Sequence, residues 1–178
     1  MIEIIVVEGP DGAGKSTLVD DLAVRYGMNI GERGTTNRDE LWKVTVPDTF
    51  KAISRAITGR TDSTTVWDRL FFSEMIYAPL YKRPCQFSIA QQAWIRGLLV
   101  TMEVPIIMCM PPRDVCYTNM SKGHQMEGVE QRFRDIYDRY RVMTFPPNTV
   151  RYDYVNDSLQ IVYDRIGNYL KRRRLREW

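Results

Sequence analysis

Gly9-Pro10-Asp11-Gly12-Ala13-Gly14-Lys15-Ser16 matches the pattern G-x-x-x-x-G-K-[ST] at every fixed position. Glycines at this spacing let backbone N–H groups converge on phosphate oxygens with no Cβ in the way. A helix expected to begin at Lys15 adds the positive end of its dipole. The Lys15 ammonium suits the β and γ phosphates, and the Ser16 hydroxyl suits Mg²⁺. Gly9, Asp11, Gly12, Ala13, Gly14, Lys15, Ser16 and Thr17 are therefore the expected ATP-binding residues, with Lys15 also catalytic.

The flanks of this stretch carry the context the motif needs. Ile2 to Val7 is an almost unbroken apolar run rich in β-branched residues, which reads as a fully buried strand. Past Lys15 the period changes, with Leu18, Leu22 and Ala23 marking one helix face. Further along, Asp48 caps a segment with Phe50, Ile53 and Ile57 at helical spacing, stopped by Gly59. Thr64 to Trp67 is strand-like. Ser88 and Gln91 have capping-box spacing before a helix ending near Met102. Pro105 to Met110 reads as a second buried strand. Val129, Phe133, Ile136, Tyr137 and Tyr140 mark a long amphipathic helix whose tyrosines face the core. Thr149 to Val155 reads as a strand, and Leu159, Val162, Ile166 and Leu170 mark a last helix begun near Asp157.

Strands alternating with helices predict a parallel sheet covered on both faces. The expected fold is a three-layer α/β/α P-loop NTPase fold with a parallel five-stranded sheet and a short mobile lid. A single domain is expected over residues 1–178, with the lid at about 113–128 and a basic tail at 171–178.

The composition narrows the function. The chain has 178 residues, 44% hydrophobic and 26% charged, which is ordinary globular usage. No apolar run is long enough to span a bilayer. Three cysteines (Cys85, Cys109, Cys116) without paired spacing, and no charged-then-apolar leader, lead us to expect a cytoplasmic protein. A single histidine, His124, disfavours histidine metal sites and histidine triads. Residues 1–170 hold 20 Lys/Arg and 21 Asp/Glu, whereas the last eight hold five basic residues and one acidic. Basic charge confined to a tail is unlike a dedicated nucleic-acid-binding face. No N-K-x-D guanine-reading motif occurs. A small domain with an early phosphate loop favours a kinase acting on a small acceptor.

Asp68-Arg69 follows the Thr64–Trp67 strand. An aspartate there can serve Mg²⁺ and its water, beside Ser16, or polarise an acceptor, and the adjacent arginine can clamp a phosphate bidentately, so Asp68 and Arg69 are expected catalytic residues. With these residues in place, V-V-E-G-P-D-G-A-G-K-S-T at Val6 to Thr17 and D-R-L-F-F-S at Asp68 to Ser73 resemble the thymidylate kinase family of nucleoside monophosphate kinases. The resemblance implies ATP-dependent phosphoryl transfer to a pyrimidine deoxynucleoside monophosphate, with dTMP the first candidate. It implies that Asp11 contacts the acceptor's 3′-hydroxyl and that Arg69 grips its 5′-phosphate beside Asp68. Arg33, in Gly31-Glu32-Arg33-Gly34, is matched to a second phosphate-holding arginine. Phe50 and Arg55 are matched to residues that stack on and hydrogen-bond the base, and Gln91 or Gln92 could read a base edge. The resemblance also implies a homodimer paired through helices beside Asp68.

Charge developing on a transferred phosphoryl group requires a cation. Some relatives carry an arginine inside the loop, where this chain has Gly12. Arg113, Lys122 and Arg132 are the remaining candidates, and Gly123 and Gly128 bracket His124 in the expected lid. Two other acceptors fit parts of the sequence. Asp114-Val115-Cys116-Tyr117 resembles a segment of deoxynucleoside kinases, in which Glu32 would serve as a base toward a sugar hydroxyl. The Lys171 to Arg176 tail would suit DNA, as in phage relatives that phosphorylate 5-hydroxymethyluracil. A nucleotide-binding regulator without turnover is the reading from a different class.

Overall fold

The computed structural model describes residues 4–31, 64–85, 87–122 and 128–175, with the backbone alone for 173–175. The helix expected from Asp48 to Gly59 lies outside these residues, as do Arg33, Phe50, Arg55 and His124.

Strand β1 (Ile4–Glu8) is buried along its whole length, as its apolar run requires. Ile5 and Val7 face one layer and Ile4 and Val6 the other, which is the period-two alternation of a strand covered on both sides. Helix α1 (Lys15–Tyr26) follows, with Leu18, Val19 and Leu22 buried. It stops at Gly27, whose left-handed backbone (φ 64°) lets its N–H return to the Ala23 carbonyl. Strand β2 (Asn29–Ile30) is only two residues long. Strand β3 (Thr65–Asp68) leads into helix α2 (Phe71–Leu80). Helix α3 (Ile89–Thr101) begins at the capping box read in the sequence: the Gln91 N–H donates to Ser88 Oγ at 3.2 Å and the Ser88 N–H to Gln91 Oε1 at 2.8 Å. Strand β4 (Ile106–Cys109), helix α4 (Arg113–Met120), helix α5 (Val129–Val142), strand β5 (Thr149–Tyr152) and helix α6 (Gln160–Leu175) complete the order.

The five strands form one parallel sheet in the order β2-β3-β1-β4-β5. One face is packed by α1, α4, α5 and α6 through Leu22, Cys116, Ile136 and Ile166, and the other by α3 and the start of α2 through Ile95, Leu99 and Phe71. This is the three-layer α/β/α arrangement the sequence predicts. Helix α2 bridges the layers: Phe71 and Phe72 join one core, while Ile76 and Tyr77 join the other.

Three elements escape the sequence reading. Strand β2 is too short to show any period. Helix α2, Phe-Phe-Ser-Glu-Met-Ile-Tyr-Ala-Pro-Leu, buries more than one side and so has no clean 3.6-residue stripe. Helix α4 occupies the first half of the stretch expected as a lid and buries Cys116 and Met120. The expected β5 also ends early. At Asp153 the chain turns: its carboxylate accepts the Val155 N–H at 2.9 Å, and Asp157 accepts the Asp153 N–H at 2.8 Å, so Asp157 closes this turn and α6 starts only at Gln160.

Two substitutions test this packing. Ile107→Ala, in the middle of fully buried β4, should lower unfolding free energy by about 2–5 kcal/mol in urea titration. Gly97→Ala, within α3 where an added Cβ would meet no atom of another element among the described residues, should raise it by about 0.5–1 kcal/mol.

Candidate active site

The loop between β1 and α1 follows directly from its glycines. Gly12 (φ 73°) and Gly14 (φ 74°) adopt left-handed backbone. A Cβ on Gly12 would run into the carbonyl of Cys116 on α4, and one on Gly14 would press on the Tyr154 ring at 3.1 Å. Asn119 of α4 reinforces that wall by donating to the Gly12 carbonyl at 3.3 Å and to the Tyr154 hydroxyl at 2.7 Å. Helix α1 therefore opens on a glycine with no side-chain cap and no acidic residue in its first turn. Amides left in this state form a ready anion site, so the residues present fit a phosphate chain.

Lys15 is buried and folds back across the loop, its ammonium donating to the Pro10 carbonyl at 2.6 Å. Burial and the nearby Arg69 charge lower its pKa, while Asp11 and Asp68 oppose that. The exposed Ser16 hydroxyl donates to Asp68 Oδ2 at 2.7 Å across the gap from α1 to the end of β3. A hydroxyl and a carboxylate meeting beside a phosphate cradle form a donor set that suits Mg²⁺.

The second half of the site grows from the turn after β3. Register pairs Val7 with Asp68, so the chain leaves both strands at the same edge of the sheet. Arg69 sits there in left-handed backbone (φ 74°), a strained state for a residue with a side chain. Its N–H donates to the Val7 carbonyl at 2.8 Å, and the Leu70 N–H donates to Glu8 Oε1 at 2.6 Å. These bonds stitch the turn to the end of β1. The guanidinium then reaches the loop. Nη1 donates to the Gly9 carbonyl (2.9 Å), Tyr140 hydroxyl (2.8 Å) and Ser73 Oγ (3.1 Å), and Nη2 pairs with the Asp11 carboxylate. The Tyr77 hydroxyl donates to the other Asp11 oxygen at 2.5 Å, and the Tyr77 ring lies 5.5 Å from the guanidinium carbon.

Glu8 is fully buried behind this cluster. Burial raises its pKa, and Arg69, the Leu70 amide and Ser73 offset this only in part. Burial also works to raise Asp11, but Arg69, Lys15 and Tyr77 outweigh it and hold that carboxyl below its usual range. Arg69 is the reverse case. Burial opposes its charge, while Tyr77, Tyr140, Asp11 and Glu8 keep it firmly protonated.

Of the expected site residues, Gly9, Asp11, Gly12, Ala13, Gly14, Lys15, Ser16, Thr17, Asp68 and Arg69 are brought together at this edge. Arg113 stands exposed at the start of α4 and Lys122 just after its end, and Arg132 of α5 lies with its guanidinium carbon 4.8 Å from the Tyr81 ring centre. Gln92 donates to the Phe87 carbonyl at 2.8 Å and Gln91 serves the α3 cap. Lys171 and Arg172 lie on α6, with Arg172 3.7 Å from Glu103. Cys109 and Cys116 are buried, and desolvation pushes both thiols up to about 12. Glu8, Tyr77 and Asn119 are site residues that the sequence reading missed. Tyr140 is a core residue as expected, yet its hydroxyl also enters the cluster. Glu8 and Ser73 stand inside the motifs at Val6–Thr17 and Asp68–Ser73, which are the signal for both. Tyr77 and Asn119 carry no local signal.

No family model matches the chain, and no curated protein matches it by sequence. Solved structures do resemble it. The YorR protein of Bacillus subtilis, in complex with phosphorylated GDP, aligns at a TM-score of 0.65 and 18% identity over 94% of this chain and 95% of that one. The deoxyadenosine kinase of M. mycoides with bound dATP aligns at 0.53 and 16%, over 93% and 99%. The same kinase with bound dCTP aligns at 0.51 and 16%, over 96% and 99%. The chain shares their fold along nearly its whole length.

The lowered Lys15 pKa has a measurable sign. The ammonium binds phosphate only when protonated, so affinity falls as pH rises through that pKa. Titrating a non-hydrolysable ATP analogue by calorimetry should show this loss beginning at lower pH than an ordinary lysine, near 10.4, would give.

Proposed function

We propose that this protein transfers the γ-phosphoryl group of ATP to a pyrimidine deoxynucleoside monophosphate, with dTMP the first candidate. The observation that supports this most is the Arg69–Asp11 pair beside the phosphate loop, with Arg69 clamped by Gly9, Ser73 and Tyr140. A guanidinium has five N–H donors. Among the described residues, the bonds of Nη1 and the Asp11 pair leave Nε–H and the second Nη2 hydrogen for an acceptor phosphate. The likeness to structures holding dATP, dCTP and phosphorylated GDP accords with a nucleotide-binding edge.

In this reading the loop amides and Lys15 hold the donor phosphates. Arg69 aligns the acceptor phosphate in line with the donor, and Asp11, oriented by Tyr77, takes the sugar hydroxyl. An acceptor phosphate oxygen is already anionic, so it needs no general base. It forms the new bond to the γ-phosphorus as the bond to the β-phosphate oxygen breaks, and ADP leaves. Alignment and charge neutralisation supply the acceleration. Ser16 and Asp68 would hold Mg²⁺, which supplies charge neutralisation on the phosphates. Arg113, Lys122 and Arg132 are the candidates for a further cation.

A second reading, a deoxynucleoside as acceptor, is favoured by the likeness to deoxyadenosine kinase. A coupled ADP-release assay on a nucleoside, its monophosphate and short DNA separates the acceptors. Turnover with dTMP and none with thymidine or DNA is the expected outcome. Lys15→Ala should reduce turnover at least a thousandfold in a folded protein. Arg69→Ala should raise the acceptor KM and cut kcat by about a hundredfold or more, leaving the ATP KM near wild type. An unchanged acceptor KM in Arg69→Ala would mean that the acceptor binds elsewhere.

A further inference from the structure

Glu8 is the one carboxylate among the described residues that is buried completely, and the phosphoryl-transfer scheme gives it no part. It forms no direct ion pair with Arg69 in this structure. Two hydroxyls stand between them. Ser73 Oγ lies 2.9 Å from Glu8 Oε2 and Tyr140 Oη lies 3.4 Å from it, and the two hydroxyls are 2.7 Å apart. Both accept hydrogen bonds from Arg69 Nη1.

The chemistry of the guanidinium fixes which way its bonds run, and its two Nη1 hydrogens are shared among the Gly9 carbonyl and the two hydroxyls. A guanidinium only donates, so each hydroxyl must turn a lone pair toward Arg69. Their own hydrogens then point away from Arg69: the Ser73 hydrogen runs to Glu8 Oε2, and the Tyr140 hydrogen to Ser73 Oγ or to the same carboxylate oxygen. Glu8 Oε1 is already committed to the Leu70 N–H. A carboxylate satisfies all three donors at once because it accepts at both oxygens. An amide cannot. In Glu8→Gln the Leu70 N–H claims the carbonyl oxygen, so the NH₂ must face the hydroxyls. The Ser73 hydroxyl would have to accept from it, so the run of hydroxyl hydrogens reverses and one of them is turned back on Arg69 Nη1. The result is donor against donor in a buried space, with almost no change of volume.

We infer that Glu8 is the positioning residue for Arg69, fixing the polarity of the Ser73 and Tyr140 hydroxyls so that both hold the guanidinium at the edge of the phosphate loop. Its effect on turnover rests on the proposed role of Arg69, but its effect on Arg69 itself does not.

The test reads the two separately. In ¹⁵N-labelled full-length protein, the Arg69 Nη hydrogens should exchange slowly with solvent. Glu8→Gln should speed that exchange at least tenfold with the fold retained. In a Ser73→Ala/Tyr140→Phe background, the same Glu8→Gln change should alter it less than twofold, because there are no hydroxyls left to reverse. Ser73→Ala and Tyr140→Phe alone approach the question from the other end and should each loosen Arg69, should Glu8→Gln fail to fold. Exchange within twofold of wild type in Glu8→Gln, an equal effect of Glu8→Gln with and without the hydroxyls, or undisturbed Arg69 in both single variants would overturn the inference. Kinetics supply the second reading: Glu8→Gln should raise the acceptor KM about tenfold and the ATP KM less than twofold. A loosened Arg69 with an unmoved acceptor KM upholds the positioning role and refutes the acceptor role of Arg69 instead.

Discussion

A carboxylate at the end of the central strand is drawn wholly out of water and a guanidinium just beyond the next strand largely so, with two hydroxyls between them. The rest of the site depends on that spacing. Two buried charges are costly unless every lone pair and hydrogen finds a partner. Here Glu8 has three donors and Arg69 has the Gly9 carbonyl, two hydroxyls and Asp11. The bonds to Gly9 and Asp11 tie the guanidinium to the phosphate loop itself. Phosphate loop and guanidinium are thus joined by direct bonds.

Parallel pairing makes this possible. Because β1 and β3 run side by side in register, the loop after one and the turn after the other open at the same edge, as ligand sites do in such sheets. Helix α2 then returns Ser73 and Tyr77 to that edge from the next turns of chain, and α5, packed against α2, brings Tyr140. The helices on the sheet faces are not merely insulation, since three of the hydroxyls that orient charge at the site are carried on them.

Sequence reading recovers the parts of this arrangement that local chemistry dictates. The glycine spacing, the buried β1 run, the α3 capping box and the α5 stripe each carry their own physical signature. Asp68 and Arg69 were also legible, because they follow a strand-like run and stand in a recognisable motif. The misses have a common cause. Helix α2 buries residues in two cores and so shows no single face, β2 is too short for any pattern, and Tyr77 finds Asp11 across 66 residues of chain. Asn119 looks like any polar helix residue until the fold sets it against Gly12. Tertiary neighbours cannot be read from a local window.

The left-handed backbone at Arg69 has an evolutionary consequence. That conformation is strained for most side chains, while glycine adopts it freely and asparagine readily. Either would relax the main chain, but neither carries a permanent positive charge. Main-chain ease and the bonds that the guanidinium makes to Gly9, Ser73, Tyr140 and Asp11 therefore pull in opposite directions at a single codon.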